Sequence, residues 1–180
     1  MKIILMFFLA VLLTNNQSVK IDFGKNKDGK DWQIVNDGVM GGRSQSTISF
    51  EKNSMIFKGN VSLENNGGFA SMRASFGEYD FSKYETMTMR FRGTARKFAV
   101  TMQKEAVFYL PNYKYFFTPN PDEWQTLEMK LTDFETYQMG RAIGGTVSEE
   151  DLTKIIRYGI ILYDKKAGDF ELEIDYIEFK

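Results

Sequence analysis

The sequence predicts an all-β domain built as a two-layer β-sandwich or jelly roll, and three observations predict it. Short runs in which apolar and polar residues alternate recur from Val19 onward. Segments rich in Gly, Asn and Asp separate these runs, and only one stretch has helical features. Many short strands with little helix are typical of sandwich architectures.

The alternation identifies individual strands. Met87, Met89 and Phe91 alternate with polar residues, as expected for a strand with one buried face. The same pattern recurs in three further segments, 98–103, 127–131 and 170–175. Its phase slips at Tyr176-Ile177, which predicts a bulge in the last strand. The continuous apolar run Ile160 to Tyr163 predicts a central strand buried on both faces.

Turns and one helix complete the predicted layout. Asn65 to Gly68 has residues that accept positive φ and predicts a turn, and Asp164 to Gly168 predicts a hairpin loop between the two C-terminal strands. Ser148 followed by three acidic residues resembles a helix start, so we expect one short helix of about two turns there.

The first 18 residues predict a signal peptide. Met1-Lys2 precedes an apolar run from Ile3 to Leu13, which is shorter than the roughly 18 residues that span a bilayer. Residues 19–180 then form a single domain. We expect an exported protein, periplasmic or secreted, that is not an integral membrane protein once residues 1–18 are cleaved; without cleavage it would be membrane-associated.

Composition excludes several classes of function. Lys plus Arg number 23 against 24 Asp plus Glu, a balance that argues against a nucleic-acid partner. The chain has no His and no Cys, so a Ser-His-Asp triad, a thiol nucleophile and a His or Cys metal site are all excluded. Because the acidic residues form no paired motif, we predict no enzyme activity, no catalytic residue, no metal site and no cofactor.

The most distinctive segment runs from Asn36 to Ser44 and contains three glycines within five positions. Its spacing matches neither a dinucleotide-binding fingerprint nor a phosphate-binding P-loop. Two interpretations stay open: a structural corner in which Asp37 accepts backbone N–H groups, or a binding loop formed by Asn36, Asp37 and Arg43. We expect Asp37 to be structural and Arg43 to bind a partner, because the sequence offers Arg43 no nearby acid.

A second candidate segment is rich in aromatic residues. All three prolines lie between Leu110 and Trp124, together with four Tyr or Phe residues at 113 and 115–117. These rings could stack on sugars, or alternate members could fill the core.

Several blocks resemble one known family. Residues Trp32 to Ser44, which read WQIVNDGVMGGRS, closely resemble the signature of the complex I intermediate-associated protein 30 family. Further blocks follow in the family's order: Gly68 to Arg73, Arg90 to Gly93, Glu123 to Gln125, Phe134, Gly140-Arg141, and a last block that begins with Asp164-Lys165 and continues from Gly168 to Asp175. The resemblance covers about residues 30–179.

This resemblance implies a galactose-binding-like β-sandwich, the jelly roll shared with many carbohydrate-binding modules. It also implies a non-catalytic assembly or scaffold role with a protein partner, which is complex I assembly in the family. Export would separate this chain from complex I assembly. The candidate binding residues are Asn36, Asp37, Arg43, Arg73, Arg141 and Trp124. A carbohydrate-binding module is the alternative.

Overall fold

The computed structural model describes residues 18–121 and 123–180. The predicted signal peptide therefore lies outside the described residues, apart from Ser18. Within the described ranges, no helix has the length and apolar character needed to cross a membrane.

Two antiparallel sheets form the domain. The first sheet has six strands: β1 (Val19–Asp22), β3 (Gln45–Phe50), β4 (Met55–Val61), β6 (Thr86–Gly93), β9 (Gln125–Lys130) and β13 (Gly168–Phe179). Their order is β3-β4-β13-β6-β9, and β1 pairs with the C-terminal half of β13.

The second sheet has seven strands: β2 (Gln33–Ile34), β5 (Ala70–Arg73), β7 (Phe98–Gln103), β8 (Asn112–Phe117), β10 (Glu135–Gln138), β11 (Arg141–Thr146) and β12 (Arg157–Leu162). Their order is β11-β10-β8-β7-β12-β5-β2. Sequence neighbours often lie in different sheets, so the chain crosses between layers repeatedly. The predicted two-layer β-sandwich is confirmed.

The core lies between the two sheets. Alternating residues of β6, namely Met87, Met89 and Phe91, are buried there, as the pattern predicts. Phe98 and Val100 of β7 are buried from the opposite sheet. These strands of the two layers thus have one face toward the core, whereas the edge strand β11 is exposed along its whole length.

Details of the last strands also match the sequence. Strand β12 is buried along its whole length, between β7 and β5. In the pairing of β13 with β6 the register shifts between Ile174 and Tyr176, which confirms the predicted bulge.

Two local predictions were wrong. The segment from Asp164 to Gly168 is not a hairpin loop, because β12 belongs to the second sheet and β13 to the first. The helix α1 (Glu149–Leu152) has one turn instead of two, although Ser148 caps it as expected by accepting a hydrogen bond from Asp151 N. Four short 3₁₀ helices also occur among the described residues: Asp37–Met40, Glu64–Asn66, Phe81–Lys83 and Leu131–Asp133.

Arg96 holds the crossing from β12 to β13 in place. Its guanidinium donates to both carboxylate oxygens of Asp164, at 2.6 and 2.8 Å, and to the carbonyl oxygens of Gly168 and Asp169, each at 3.1 Å. Only 12% of the Arg96 side chain and 6% of the Asp164 side chain are exposed. A planar guanidinium makes this set of bonds, whereas an ammonium cannot.

We therefore expect Arg96→Lys to lower the free energy of unfolding by about 2–3 kcal/mol, because a buried carboxylate and carbonyl oxygens lose their donors. Thermal unfolding followed by circular dichroism measures this, and each kcal/mol corresponds to about 2–4 °C in a domain of this size. Arg43→Lys, in a pair exposed to solvent, is the matched control. Equal effects of the two substitutions would contradict the structural role of Arg96.

Candidate functional site

Asp37 forms a polar corner between the two sheets. It is 1% exposed and begins the 3₁₀ helix Asp37–Met40. Its Oδ1 accepts from Ser44 N at 2.8 Å, and its Oδ2 accepts from Ser44 Oγ, from Gly68 N at 2.7 Å and from Phe69 N at 3.2 Å. These bonds join the segment before β3 to the turn before β5. Asp37 therefore has the geometry of the structural corner.

The same bonds control the ionisation of Asp37. Burial alone would raise the pKa of this carboxyl group, but the hydrogen bonds from Ser44, Gly68 and Phe69 outweigh burial and lower the pKa below its ordinary value. Asp37 is therefore a buried carboxylate whose acceptor capacity is used inside the fold.

Glycines allow the backbone to lie close to the Asp37 carboxylate. A Cβ at Gly42 would lie 2.4 Å from Asp37 Cγ, and one at Gly67 would lie 2.7 Å from Asp37 Oδ2. Gly41 adopts φ 88°, a left-handed conformation that favours glycine. Close packing around the Asp37 carboxylate thus explains the glycine at position 42, and the left-handed backbone explains the glycine at position 41.

The premise used for Arg43 was wrong. Arg43 Nη1 donates to Glu64 Oε2 at 2.8 Å, so the side chain does have an acidic partner. The two side chains are 66% and 64% exposed, and exposed pairs of this kind contribute little to stability. Arg43 remains a candidate binding residue at the surface.

The other candidate residues lie in three different places. Arg73 is on the outer face of the second sheet, and Arg141 is exposed at the start of β11 at the edge of that sheet. Trp124 lies just before β9 of the first sheet, where the guanidinium carbons of Arg90 and Arg92 lie 4.5 and 5.1 Å from its ring centroid. The structure therefore does not bring the six candidates into one site, although Asn36 accepts a weak bond from Ser71 N, two residues from Arg73.

The aromatic segment divides between the two faces of β8. Tyr113 and Phe117 are buried in the core and Tyr115 packs against it, so the interpretation in which alternate members fill the core is confirmed. Phe116 lies on the opposite face, below the ammonium of Lys97. Tyr109 remains exposed.

A row of residues crosses the outer face of the second sheet. Arg73 of β5 is paired with Gly159 of β12, Gly159 with Thr101 of β7, and Thr101 with Lys114 of β8. Adjacent strands are about 4.8 Å apart, so the backbones of Arg73 and Lys114 are separated by about 14 Å. A Cβ at Gly159 would lie 3.1 Å from Arg73 Cγ, which places the Arg73 side chain over the glycine.

This row contains two cations that lack an acidic partner. None of the ion pairs formed by residues 18–121 and 123–180 includes Arg73 or Lys114. Lys114 is only 6% exposed, and its Nζ lies 5.1 Å from the ring centroid of Tyr137 and 5.2 Å from that of Tyr163. Arg73 donates from Nε to Ser71 Oγ at 3.2 Å.

Burial and a nearby positive charge lower the pKa of each of these two groups. Burial, with a contribution from the charge of Arg73, lowers the pKa of the Lys114 ammonium to about 8. Burial, with a contribution from Arg157, lowers the pKa of the Arg73 guanidinium to about 10. Both groups are therefore mainly charged at pH 7.

A cavity of about 120 Å³ lies beside this row. Arg73, Lys114, Thr101 and Asn112 line it, and the loop between β7 and β8 forms one wall, with the exposed side chains of Val107 and Phe108. The Oδ1 atom of Asn112 is buried and has no hydrogen-bond partner among the described residues. In the same ranges, no group of three or more acidic side chains is placed to hold a metal ion.

Arg73 was among the binding residues predicted from the sequence, whereas Lys114 and Asn112 were not. One signal was available: Asn112 and Lys114 occupy alternate positions between the apolar residues of β8, so they face away from the core. What the sequence does not contain is the strand order, which places β8 and β5 on one surface.

Comparison with solved structures identifies the class of fold. The structure resembles the family 11 carbohydrate-binding module of a cellulosomal cellulase from Clostridium thermocellum, with a TM-score of 0.64 and 18% identity over 89% of this chain and 94% of that one. The same module in complex with a β-1,3-1,4-mixed-linked tetrasaccharide gives a TM-score of 0.62 and 18% identity, with the same coverage. The class is the galactose-binding-like β-sandwich.

The sequence profile described as complex I intermediate-associated protein 30 (CIA30) matches residues 21–174, and the chain belongs to this family. It is 30% identical over 190 aligned residues to the mouse protein named complex I intermediate-associated protein 30, mitochondrial. That alignment covers 94% of this chain and 58% of the mouse protein. The chain therefore spans little more than half the length of this curated relative.

The role of Asp37 can be tested by exchanging one atom. We expect Asp37→Asn to lower the free energy of unfolding by about 2–4 kcal/mol, because an amide NH₂ replaces an acceptor that faces N–H donors. The lowered pKa means that the carboxylate's contribution is present above about pH 4 and is lost as the pH falls further. Denaturant unfolding at pH 7 and pH 3 measures the difference.

Arg43→Ala is the control for this experiment, and we expect it to change stability by less than about 1 kcal/mol. If Arg43→Ala is as destabilising as Asp37→Asn, the corner is not centred on Asp37.

The unpaired ammonium of Lys114 should reduce stability. We expect Lys114→Met to raise the melting temperature at pH 7 by about 2–4 °C for each kcal/mol of relieved burial cost. Because the folded pKa is below the unfolded one, the unfolded chain binds more protons between about pH 8 and 10. The destabilisation caused by the buried ammonium is therefore complete below pH 8 and declines toward pH 10. The increase in melting temperature produced by Lys114→Met should shrink over that range.

Thermal unfolding at pH 7 and pH 10 measures this effect, with Lys58→Met at an exposed position of β4 as the control. A Lys114→Met variant that is less stable than the wild type at pH 7 would show that Lys114 has a stabilising partner.

Proposed function

We propose that this chain is a non-catalytic binding module with an assembly-factor or scaffold role, and that it binds a protein partner through an apolar rim. The apolar rim consists of five exposed side chains: Val107, Phe108, Tyr109, Met139 and Ile143. Contiguous exposed apolar surface is typical of protein interaction sites, and aromatic residues commonly dominate their binding energy. This rim is the observation that carries the proposal.

Two separate segments form the rim, and a hydrogen bond connects them. Gln138 Nε2 donates to the carbonyl oxygen of Tyr109 at 3.1 Å, which links the loop after β7 to the hairpin of β10 and β11. Phe108 and Tyr109 also pack edge to face, with 5.6 Å between their centroids. The rim borders the cavity beside Arg73 and Lys114, because Val107 and Phe108 also line that cavity.

The environment of the buried acids supports a non-catalytic role. Asp37 and Asp164 are committed to hydrogen bonds within the fold, as described above. Glu173 accepts from Ser54 Oγ at 2.6 Å and from Arg92 Nε at 2.5 Å, and Asp151 accepts from Lys104 Nζ at 2.6 Å. Carboxylates held in this way lack the free acceptor capacity that acid–base chemistry needs.

The family supports the assembly role. The mouse relative's name describes a mitochondrial protein associated with an intermediate of complex I, which is a statement about that protein. For this chain, a role in assembling a protein complex is the proposal. Cleavage of residues 1–18 and export remain predictions from the sequence.

Affinity capture with matched variants tests the proposal. The tagged protein is used to recover partners from an extract of its own cells, which are quantified by mass spectrometry. We expect Phe108→Ser with Met139→Ser to reduce recovery of the enriched partner at least about tenfold, because loss of about 1.4 kcal/mol is tenfold in affinity. The wild-type side chains are 69% and 64% exposed, so the fold should tolerate both changes.

Val39→Ser with Met40→Ser is the control variant, since these side chains are 72% and 62% exposed but lie at the polar corner. Recovery of a partner that is unchanged by the rim variant, or reduced equally by both variants, would contradict a partner bound at the rim.

Carbohydrate binding is the second candidate function. Tyr137 and Tyr163 flank Lys114 on the outer face of the second sheet, so aromatic rings and polar groups share one surface. Aromatic faces suit sugar rings, and the pairing of β8 with β10 keeps these groups together. A glycan array at high protein concentration tests this candidate, and absence of binding to neutral and acidic saccharides would remove it.

A further inference from the structure

We propose that the cavity beside Arg73 and Lys114 binds a hydroxycarboxylate, that is, a carboxylate with a neighbouring hydroxyl group. Such a group occurs in small hydroxy acids and in the uronic-acid residues of acidic saccharides. The cavity borders the apolar rim, since Val107 and Phe108 belong to both. Its ligand is nevertheless inferred from the polar groups of Arg73, Lys114 and Asn112 and does not depend on the protein partner proposed above.

The two cations define the charge of the ligand. The guanidinium Nη atoms of Arg73 and the ammonium of Lys114 have no hydrogen-bond acceptor and no carboxylate partner within the described ranges. Fold stability does not explain two unpaired cations on one partly buried surface, because each is costly there. A bound anion would supply the missing acceptors through charge-assisted hydrogen bonds.

The carboxylate of Glu105 reduces the net positive charge of the cavity lining, so the ligand that fits best carries about one negative charge. Glu105 also lines the cavity and belongs to the loop that forms its wall. Together with Arg73 and Lys114, it leaves a formal charge of +1 on the lining. A monoanionic carboxylate matches this charge, whereas a phosphate dianion would meet repulsion from Glu105.

Asn112 defines the second feature of the ligand. Asn112 lines the cavity, and its Oδ1 is buried and accepts no hydrogen bond from the described residues. Because a buried acceptor is rarely left unpaired, a ligand with a hydroxyl donor beside its carboxylate would satisfy it. Thr101, directly opposite Lys114 across β7 and β8, also lines the cavity, and its hydroxyl donates a long hydrogen bond to the Gly159 carbonyl oxygen at 3.4 Å.

The cavity has room for this group. Its volume is about 120 Å³, while one water molecule needs about 10–15 Å³ on the same measure. A carboxylate and a neighbouring hydroxyl therefore fit, and the rest of a larger ligand would extend toward Tyr163, whose ring lies 5.2 Å from Lys114 Nζ.

Isothermal titration calorimetry with two matched ligand pairs tests the proposal on the purified protein. Glycolate and acetate differ by one hydroxyl, and glucuronate and glucose differ by one carboxylate. We expect glycolate to bind at least about tenfold more tightly than acetate, and glucuronate to bind where glucose does not. Tighter binding of glucuronate than of glycolate assigns the ligand to acidic saccharides, and the reverse order assigns it to small hydroxy acids.

Variants locate the binding in this cavity. Lys114→Met should weaken glycolate binding at least about tenfold, and Asn112→Leu should remove the preference for glycolate over acetate. Lys58→Met, at an exposed position of β4 in the other sheet, should leave all affinities unchanged. Circular dichroism of each variant checks that it is folded.

Several results would overturn the proposal. These are absence of binding by both glycolate and glucuronate, equal affinity for glycolate and acetate, tighter binding of inorganic phosphate than of either hydroxycarboxylate, and binding unaffected by both Lys114→Met and Asn112→Leu in folded protein. Partner capture by the apolar rim could persist in each case, so the two proposals fail separately.

Discussion

The carboxylate of Asp37 is the constraint on which the arrangement of the two sheets depends. It is buried, it accepts four hydrogen bonds, and its donors come from the entry to β3 in one sheet and from the turn before β5 in the other. Its neighbour Asn36 reinforces this link, because Asn36 Oδ1 accepts from Ser46 Oγ of β3 at 2.8 Å and from Ser71 N of β5 at 3.4 Å. Ser71 Oγ in turn accepts from Arg73, so the corner also orients a residue of the outer face.

The outer face of the second sheet has the opposite character. At the corner every acceptor of the carboxylate is used, whereas Arg73 and Lys114 are partly or fully buried without acidic partners among the described residues. Proteins commonly lose stability at binding sites, where groups are arranged for a ligand instead of for the fold. This contrast distinguishes the corner, whose polar groups are paired within the fold, from a surface whose charged groups are available for a ligand.

Much of the fold could be predicted from the sequence because alternation reports directly which side chains face a core. The bulge near Ile174 and the buried strand β12 were predicted in this way. The path between sheets was not predictable, because the turn at Asp164 to Gly168 has the same composition in a hairpin as in a crossing. The acidic partner of Arg43 was missed because Glu64 is 21 residues away in sequence, and only the folded corner brings the two side chains together.

The pKa of the Lys114 side chain, measured by carbon-13 NMR on lysine-labelled protein, tests most directly whether the second sheet carries a buried and unpaired cation. We expect a pKa of about 8, lowered by burial and by the charge of Arg73. A pKa at or above the ordinary value of about 10.4 would mean that Lys114 is solvated or has an anionic partner, and the outer face would then carry no buried, unpaired cation.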